Sequence, residues 1–415
     1  MRILYLSQYF PPEVGATQTR AHEMARGLIQ AGHQVTMIAE FPNHPRGVIA
    51  NAYRGRLFER ARLDGIDVIR TWVAASPRKT FARRMAFYVS YMLMATIAGL
   101  VFARGRYDVI YATSPPLFTG AAGLALSLLK RVPLVFEVRD LWPESAVALG
   151  ELRGRRAIAM ATSLEEACYR RAVLIVVVTR GILERLRARK IGANKLAMVP
   201  NGANTDSFRP LPERGVAIRA ELGLSGTFVV VYAGILGVAQ GLKTVLDAAR
   251  RLIDERDIRF LFIGEGPDRA AIEAAAAGSQ LVNVTFLGER PQAEMAGYYS
   301  AADVALVPLR DLEMFRGVLP SKMFEAWACE CPIILSVDGE ARDMLVQAGA
   351  GLHAPPEDSV AIAGAILRMK CSADERRAMG RNGRAFVAAH YSRARAAGEL
   401  ERLLVERLKP APDSM

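Results

Sequence analysis

Short apolar runs alternate with helix-type repeats from the first residues of the chain onward. The run RILYLSQYF from Arg2 predicts a buried parallel strand, and QVTMIAE predicts a second. The repeat between them predicts a helix from about Thr17 to Ala31. The same strand-then-helix step recurs at YDVIYATS, PLVFEV and VLIVVV, and KLAMV adds one more strand. The first half of the chain therefore predicts a doubly wound parallel α/β sheet.

The pattern starts again after NGANTDSFRPLPERG, a segment rich in Asn, Gly and Pro that marks a domain boundary near Pro200. Strand, glycine-rich loop and helix then follow one another in TFVVVYAGILGVAQGLKTV, IRFLFIGEGPDRAA and VTFLGERPQAEM. A long final helix, at about residues 392–415, is expected to pack back on the first domain. The prediction is an α/β protein of two Rossmann-like domains, residues 1–200 with that helix and residues 201–391, whose parallel sheets face one crevice.

Two stretches of the first half differ from this pattern. The chain from Phe41 to Trp72 is rich in loops and contains one predicted strand, GIDVIRTWV. Further on, about 19 residues between Arg84 and Arg104 carry no charge, and that length would allow a membrane span. A span would separate the adjoining strand–helix units, so we expect a helix that is partly buried and partly embedded in one leaflet. A fully buried core helix is the alternative.

Basic residues flank the uncharged helix on both sides and are expected to bind anionic headgroups. They are Arg78, Lys79, Arg83, Arg84, Arg104 and Arg106.

Composition limits the partners and the compartment. The 415 residues carry a net charge of +12, which favours an anionic partner: a phosphorylated substrate, an acidic membrane surface or nucleic acid. Nucleic acid is disfavoured, because no basic stretch is interleaved with aromatic residues. The four cysteines fit no zinc spacing, which favours a reduced, cytoplasmic compartment. Since the chain opens directly with a strand, we expect no signal peptide.

The stretch FRGVLPSKMFEAWACECP holds the main candidate chemistry. It predicts a loop, from Gly317 to Ser321, that opens a helix. Pro320 is tolerated in a first helical turn, and Ser321 is a residue type that caps. A helix start carries unpaired N–H groups and partial positive charge, and Lys322 adds a full charge. This helix start can therefore hold a phosphate group.

Glu325 lies one turn further into the same helix, where a carboxylate can accept hydrogen bonds from the two hydroxyl groups of a ribose. Phosphate at the helix start and ribose one turn in together describe a nucleotide site. An ordinary amphipathic helix with a surface Lys and Glu is the alternative.

Other candidates for binding the donor lie in loops at the ends of strands in the second half. Gly234 and Gly237 can offer backbone N–H groups to phosphate, and Lys243 adds charge. Gly264 and Glu265 belong to a tight turn where a base could lie, and Arg290 follows another strand.

In the first half, polar residues and one glycine also collect where strands end, which is where open α/β sheets bind ligands. Gly15 would allow close approach of the backbone to a substrate. Glu13, Arg20 and His22 are candidates to face the site, with a solvated surface role as the alternative. The other candidates of this half are Ser114, Arg139 and Asp140.

With these motifs in view, the sequence resembles the glycosyltransferases of family 4, which have the GT-B fold. The resemblance covers nearly the whole chain and is carried by YFPPEVGATQTRAHEMARGLIQAGHQVTMIA, VPNGANTDSF, FIGEGP, VTFLGERP, ADVALVPL and SKMFEAWACECPII. The segments SPPLF, VFEVRDLWPES, YAGILGVAQGL and LPSKMFEAWA are similar to a bacterial subgroup of the fucosamine-transferase type, which builds O-antigen, capsule or exopolysaccharide.

The resemblance implies transfer with retention at the anomeric carbon and without a bound metal or cofactor. Glu325 matches the family's ribose-binding glutamate. The family's first glutamate would fall at Gly317, and its Arg and Lys pair near Ile235 and Gln240. Lys322 is then the substitute cation.

For the donor phosphates, the resemblance adds Gln240 and the backbone of Gly234, Val318 and Leu319 to the cradle around Lys322. For the acceptor, Asp140 would orient the hydroxyl or touch the donor sugar, and Arg20 or Arg139 would hold the acceptor's phosphate.

The function implied is transfer of a sugar, UDP-linked and N-acetylated like N-acetylfucosamine, to a saccharide on a polyprenyl diphosphate lipid. The enzyme would be peripheral on the inner face of the bacterial plasma membrane. A nucleotide-sugar epimerase is one alternative, and the uncharged helix argues against it. A non-catalytic subunit that binds nucleotide sugar is the other, and the departures at Gly317, Ile235 and Gln240 support it.

Overall fold

The structure is a computed structural model that describes residues 1–13, 15–43, 46–78, 80–148, 150 and 152–408. The chain divides into two compact units. Unit 1 runs from Met1 to Pro200 and includes the segment that begins at Ala394, and unit 2 runs from Asn201 to Arg393. Lys79 and residues 409–415 of the expected final helix lie outside the described residues.

Unit 1 contains an eight-stranded sheet in the order β3-β4-β2-β1-β5-β6-β7-β8, and every neighbouring pair is parallel except β3 and β4. Its strands are β1 (Arg2–Leu6), β2 (Gln34–Glu40), β3 (Phe58–Leu63), β4 (Ile66–Thr71), β5 (Val109–Ser114), β6 (Leu134–Val138), β7 (Ala172–Val177) and β8 (Leu196–Met198). Its first six helices are α1 (Ala16–Gln30), α2 (Phe81–Val101), α3 (Leu117–Lys130), α4 (Glu144–Ala148), α5 (Arg155–Arg171) and α6 (Arg180–Ala188).

Unit 2 contains a six-stranded, wholly parallel sheet in the order β11-β10-β9-β12-β13-β14. Its strands are β9 (Phe228–Ala233), β10 (Ile258–Ile263), β11 (Val284–Gly288), β12 (Val304–Pro308), β13 (Ile333–Ser336) and β14 (Gly351–His353). The helices are α7 (Pro212–Glu221), α8 (Leu242–Arg251), α9 (Arg269–Gly278), α10 (Met295–Ala301), α11 (Ser321–Ala328), α12 (Glu340–Ala348), α13 (Ser359–Cys371) and α14 (Ala373–His390). The last helix, α15 (Arg393–Leu408), belongs to unit 1 after its first residue.

Strand β3 is the element that the loop-rich interpretation of residues 41–72 missed. It is an edge strand, antiparallel to β4, and none of its six residues is buried. An edge strand with one loosely covered face carries no long apolar run, so periodicity did not reveal it. The signal that was available is the Asp64–Gly65 pair, where both residues have positive φ, as a tight hairpin turn requires.

The central strands of unit 1 are buried on both faces. Ile3 and Tyr5 of β1 pack in a cluster with α1 and α15, whereas Leu4 and Leu6 pack in a cluster with α2 and α3. Parallel strands covered on both sides have no polar face, which explains why these runs are continuously apolar in the sequence.

Helix α2 is buried along one side only. Tyr91, Ala95, Ala98 and Gly99 are its buried residues, and the Tyr91 hydroxyl donates to the carbonyl of Ile38 at 2.9 Å. By length and composition α2 could cross a membrane, with 22% of its most apolar window buried. Because part of the helix is exposed, the alternative of a fully buried core helix is wrong.

Helix α15 closes one face of unit 1 by a close approach to α1. Leu400 and Leu404 are fully buried in the cluster that contains α1. At the crossing, a Cβ added to Gly27 would lie 2.3 Å from the Cβ of Ala397. The two helices therefore meet at a position that only glycine fits.

We expect Gly27→Ala to lower the free energy of unfolding by about 1–3 kcal/mol, because the added methyl group overpacks the α1–α15 crossing. The control is Gly398→Ala in α15, where an added Cβ meets no atom within 4 Å. That change should raise stability by about 0.5–1 kcal/mol through the helix propensity of Ala. Urea denaturation followed by circular dichroism measures the free energy of unfolding of both variants. A Gly27→Ala protein as stable as Gly398→Ala would contradict the close contact of α1 and α15 at Gly27.

Candidate active site

Helix α11 begins without a side-chain cap. Pro320 occupies the cap position and Ser321 is the first helical residue, and the described part of the chain shows no side-chain cap hydrogen bond at this helix start. The expectation that Ser321 caps the helix is therefore wrong. Uncapped N–H groups at a helix start carry partial positive charge and bind anions. Of the two residues expected to add backbone N–H groups, Val318 already donates to Phe315 at 3.1 Å, while Leu319 is buried beside the helix start.

The Lys322 side chain is held at this helix start by Tyr232 of β9 and by Gln240 in the loop that follows β9. Its Nζ donates to the Tyr232 hydroxyl at 3.0 Å and to Gln240 Oε1 at 3.3 Å. The same Nζ lies 4.2 Å from the centroid of the Tyr232 ring. A Cβ added to Gly234 would lie 3.2 Å from this ammonium group. Three of the predicted donor residues, Gly234, Gln240 and Lys322, are thus brought together.

Two glycine-containing loops, which follow β9 and β10, pack against each other beside this cluster. Gly234 and Gly264 have φ of 141° and 140°, and a Cβ added to Gly264 would lie 1.9 Å from the Gly234 carbonyl oxygen. The Gly234 N–H donates to Ile263, and the Gly264 N–H donates to Gly288. The ends of β9, β10 and β11 are therefore in direct contact, and a side chain at Gly264 would separate the first two.

The carboxylate of Glu325 lies one turn into α11 and faces a buried arginine. Glu325 Oε1 lies 3.6 Å from Arg393 Nη2. Burial raises the pKa of Glu325, while the charges of Arg393 and Lys322 act against that rise. Arg393 is itself fixed, because its Nε donates to the Gly202 carbonyl and its backbone N–H to that of Ala203. Glu325 is thus a positioned carboxylate rather than a freely solvated one.

The remaining donor candidates differ in their surroundings. Glu265 forms an ion pair with Arg269, and Lys243 is exposed in the first turn of α8. Arg290 follows β11, and its Nε is buried without a hydrogen-bond partner among the residues that the structure describes. A buried donor of this kind is available to a ligand.

In unit 1, Arg20 is part of the core. Its guanidinium donates to Glu137 at 3.0 Å and to the carbonyls of Val199 and Pro200 at 2.8 and 2.9 Å. Burial alone would raise the pKa of Glu137, yet Arg20 and Arg139 outweigh it and hold that pKa below its usual value. Neither the solvated surface role nor a role in holding the acceptor's phosphate fits this buried placement, because Arg20 uses its donors inside the protein.

Arg139 and Asp140 directly follow β6, at the carboxyl ends of the strands, and the neighbouring strand β5 ends there at Ser114. Arg139 donates to Thr113 Oγ1 at 2.9 Å and to Thr17 Oγ1 at 3.1 Å, and its backbone N–H donates to the Ser114 carbonyl. Asp140 accepts from Ser145 Oγ at 2.7 Å, and burial raises its pKa. A carboxyl group at the end of a strand suits hydrogen bonding to a bound hydroxyl.

Glu13 and His22 are engaged with neighbouring elements. Glu13 is buried and accepts from the Asn43 N–H at 2.6 Å. His22 Nε2 lies 2.9 Å from Asp64 Oδ2, in the turn between β3 and β4. Gly15 stands at the cap position of α1. The solvated surface role weighed for Glu13 does not apply, since this side chain is buried.

A row of aromatic side chains in unit 1 was not found from the sequence. Successive ring centroids are 6.4 Å apart for Tyr9 and Phe87, 5.5 Å for Phe87 and Tyr88, 6.0 Å for Tyr88 and Phe118, and 6.2 Å for Phe118 and Trp142. All five are half-buried. Tyr9 and Trp142 follow strands and Phe118 lies at the start of a helix. Their positions at the ends of these elements are the sequence feature from which the row could have been predicted.

The low pKa of Lys322 gives a prediction about stability. Burial lowers this pKa from 10.5 to about 7. Between about pH 7 and 10.5, Lys322 is therefore protonated in the unfolded chain but mostly neutral in the folded protein. Since the unfolded state binds more protons in this window, the free energy of unfolding decreases as the pH falls through it.

We therefore expect Lys322→Met to raise the melting temperature by a few °C near pH 6.5, with a gain that shrinks towards pH 10. Lys243→Met removes an exposed charge as the control. Thermal denaturation at several pH values measures the difference, and a gain from Lys322→Met that does not depend on pH would argue against the low pKa.

Comparison with known families covers most of the chain. The model of the glycosyl transferase 4-like domain matches residues 15–202, and that of the group 1 glycosyl transferases matches residues 227–370. Among relatives, WcaI of Escherichia coli K12, named for a glycosyl transferase step of colanic acid biosynthesis, is 24% identical over 82% of each chain.

Solved structures share the fold. Sucrose-phosphate synthase of Thermosynechococcus elongatus superposes with a TM-score of 0.76 at 22% identity, over 98% of each chain. HepE of Anabaena in complex with UDP-glucose superposes with a TM-score of 0.73 at 17% identity, over 98% of this chain and all of that one. With two parallel-sheet α/β units, both domain models and these neighbours, the chain belongs to the group 1 glycosyltransferases of the GT-B fold and is a transferase enzyme.

Proposed function

We propose that this enzyme moves a sugar from a nucleotide donor, UDP-linked and N-acetylated, to a lipid-linked saccharide during cell-surface polysaccharide synthesis. The observation that carries the proposal is the cluster at the start of α11. There Lys322, Gln240 and Gly234 meet an uncapped helix start, with Glu325 one turn further in. A relative named for colanic acid biosynthesis and a neighbour bound to UDP-glucose support the polysaccharide and the UDP assignments.

The donor would bind with its diphosphate against the start of α11 and its ribose against Glu325. An approaching diphosphate favours the charged form of Lys322, because an opposite charge raises the pKa of an ammonium group. The buried Arg290 Nε offers a further donor to the nucleotide. No residue of this cluster needs a metal ion to hold the phosphates.

Transfer would retain the configuration at the anomeric carbon. The bond between that carbon and the phosphate oxygen breaks, and a bond to the acceptor oxygen forms on the same face. The acceptor's proton passes to the leaving phosphate oxygen. Lys322 and the helix start stabilise the charge that develops on that phosphate, so catalysis consists of positioning and electrostatic stabilisation.

The acceptor would bind to unit 1. Asp140 and Arg139 lie at the sheet edge that follows β6, where a carboxyl group can orient a sugar hydroxyl. The aromatic row from Tyr9 to Trp142 offers ring faces on which the C–H faces of sugars pack. The exposed side of α2, Arg78 before it, and Arg83 and Arg84 in its first turn support contact with an anionic leaflet, and we propose that the enzyme lies on the inner face of the plasma membrane.

Titration calorimetry with UDP, GDP and their sugars tests the donor site. We expect saturable binding of UDP and its sugar, weakened about 10- to 100-fold in Glu325→Ala and in Lys322→Ala, because each change removes a charged hydrogen bond. Glu294→Ala removes an exposed carboxylate of unit 2 and should bind as the wild type does.

Two other outcomes would contradict the proposal. Absence of any nucleotide binding would mean that Gly317, Ile235 and Gln240 mark a degenerate site. Binding without donor hydrolysis or transfer would favour the non-catalytic subunit.

Flotation with vesicles of phosphatidylglycerol tests the membrane contact. We expect the triple variant Arg78→Gln, Arg83→Gln, Arg84→Gln to lose binding about 100-fold, since each basic residue near an anionic surface contributes about 1 kcal/mol. The control removes three exposed arginines of unit 2, Arg209, Arg251 and Arg256. Equal loss of vesicle binding in both variants would mean that only net charge matters. Unchanged binding of the Arg78, Arg83 and Arg84 variant would mean that these three arginines do not contact the membrane.

A further inference from the structure

Unit 1 contains a cavity that the transferase site does not use. Its volume is about 460 Å³, within the range of small-molecule sites. It lies beside the edge strand β3 and the last turn of α2. Seven residues line it: Phe58, Ile69, Val101 and Phe102 are apolar and form what we call the apolar wall, Arg60 and Arg104 form the cationic wall, and Glu59 is anionic.

The apolar wall is continuous with an exposed surface. Phe58 and Phe102 face each other with ring centroids 4.9 Å apart. Val101 belongs both to this wall and to a row along the exposed side of α2, where Leu93 is 54% exposed and Ile97 is 44% exposed. These positions are spaced by four residues, which places them on one face of the helix. An apolar chain lying along α2 could therefore continue into the cavity.

The cationic wall has no carboxylate partner within the described part of the chain. Arg60 donates to the carbonyl of Phe102, and Arg104 Nε donates to that of Val101 at 3.1 Å. Glu59, the one carboxylate among the lining residues, is paired with Arg56. A guanidinium has five N–H donors, so each arginine keeps donors for an anion after contacting the helix end. The alternative is that both arginines only stabilise the negative end of α2.

We propose that this cavity binds one anionic glycerophospholipid, with the phosphate on Arg60 and Arg104 and an acyl chain against Phe58, Ile69 and Phe102. An apolar cavity joined to an exposed apolar helix face suits a lipid chain, and two cations without carboxylate partners suit its phosphate. The proposal rests on the membrane contact of the proposed function and names a lipid class for it.

The site would also determine how α2 lies on the membrane. At 1.5 Å per residue, the 21 residues of α2 span about 30 Å, with Arg83 and Arg84 at its start and the cavity at its end. Charge attraction at one end and a specific lipid at the other would hold the helix parallel to the surface.

The test uses the full chain with short-chain lipids below their micelle concentration, without vesicles and without nucleotide. We expect dihexanoyl-phosphatidylglycerol to bind with one-to-one stoichiometry in calorimetry, and dihexanoyl-phosphatidylcholine and glycerol 3-phosphate to bind at least tenfold more weakly. The double variant Arg60→Gln, Arg104→Gln should lose at least tenfold in affinity. The matched variant Arg54→Gln, Arg62→Gln removes two exposed charges of the same unit and should bind as the wild type does.

A second pair of variants tests the apolar wall. Val101→Trp places a large ring at the half-exposed cavity wall and should abolish lipid binding, while Met160→Trp changes an exposed apolar residue of α5 and should not. If glycerol 3-phosphate bound as tightly as dihexanoyl-phosphatidylglycerol, the cavity would be a site for anions and not for lipid. If phosphatidylcholine bound as tightly, the arginines would not select the lipid. Either result, or no lipid binding at all, overturns the proposal.

Nucleotide titration of each preparation separates this proposal from the function. Retained nucleotide binding without lipid binding overturns the lipid site alone. Lipid binding without nucleotide binding overturns the donor site alone.

Discussion

The parallel arrangement of the strands determines where chemistry can lie in this protein. A parallel strand must be followed by a crossover, so the carboxyl ends of all such strands emerge at one edge of their sheet. In unit 2 this rule places Gly234, Gly264 and Gly288 next to one another, and the contact between the first two allows no Cβ. The position of the Lys322 ammonium group depends on that contact, since Gly234 forms the surface beside it.

Lys322 and Glu325 have opposite charges in surroundings that disfavour both. Burial lowers the pKa of Lys322 to about 7 and raises that of Glu325. Near neutral pH a bound phosphate can therefore change the charge of the lysine, whereas a permanently charged arginine would offer no such response.

Much of this organisation could be predicted from sequence, because buried parallel strands and helix starts leave local signals. The run QVTMIAE corresponds to β2 residue for residue, and the helix start at Ser321 was located with Lys322 and Glu325 on it. What could not be predicted depends on distant partners. Tyr232 lies 90 residues from Lys322 in the chain, and Arg393 lies beyond the whole second sheet. Arg20 showed the same limit, since nothing near it in the sequence indicates the buried Glu137 that it pairs with.

The last helix completes the first domain, and this has a consequence for biosynthesis. Leu400 and Leu404 fill a face of unit 1 that Ala25 and Leu28 of α1 share. Until Arg393–Leu408 has left the ribosome, that apolar face has no cover, although the strands beneath it were made some hundreds of residues earlier. Unit 2 is one continuous segment, so it can fold before the last helix of unit 1 is available. The unit that is synthesised first is then the one whose folding is completed last. During this interval the nascent first domain exposes apolar surface, which is the kind of surface that promotes aggregation.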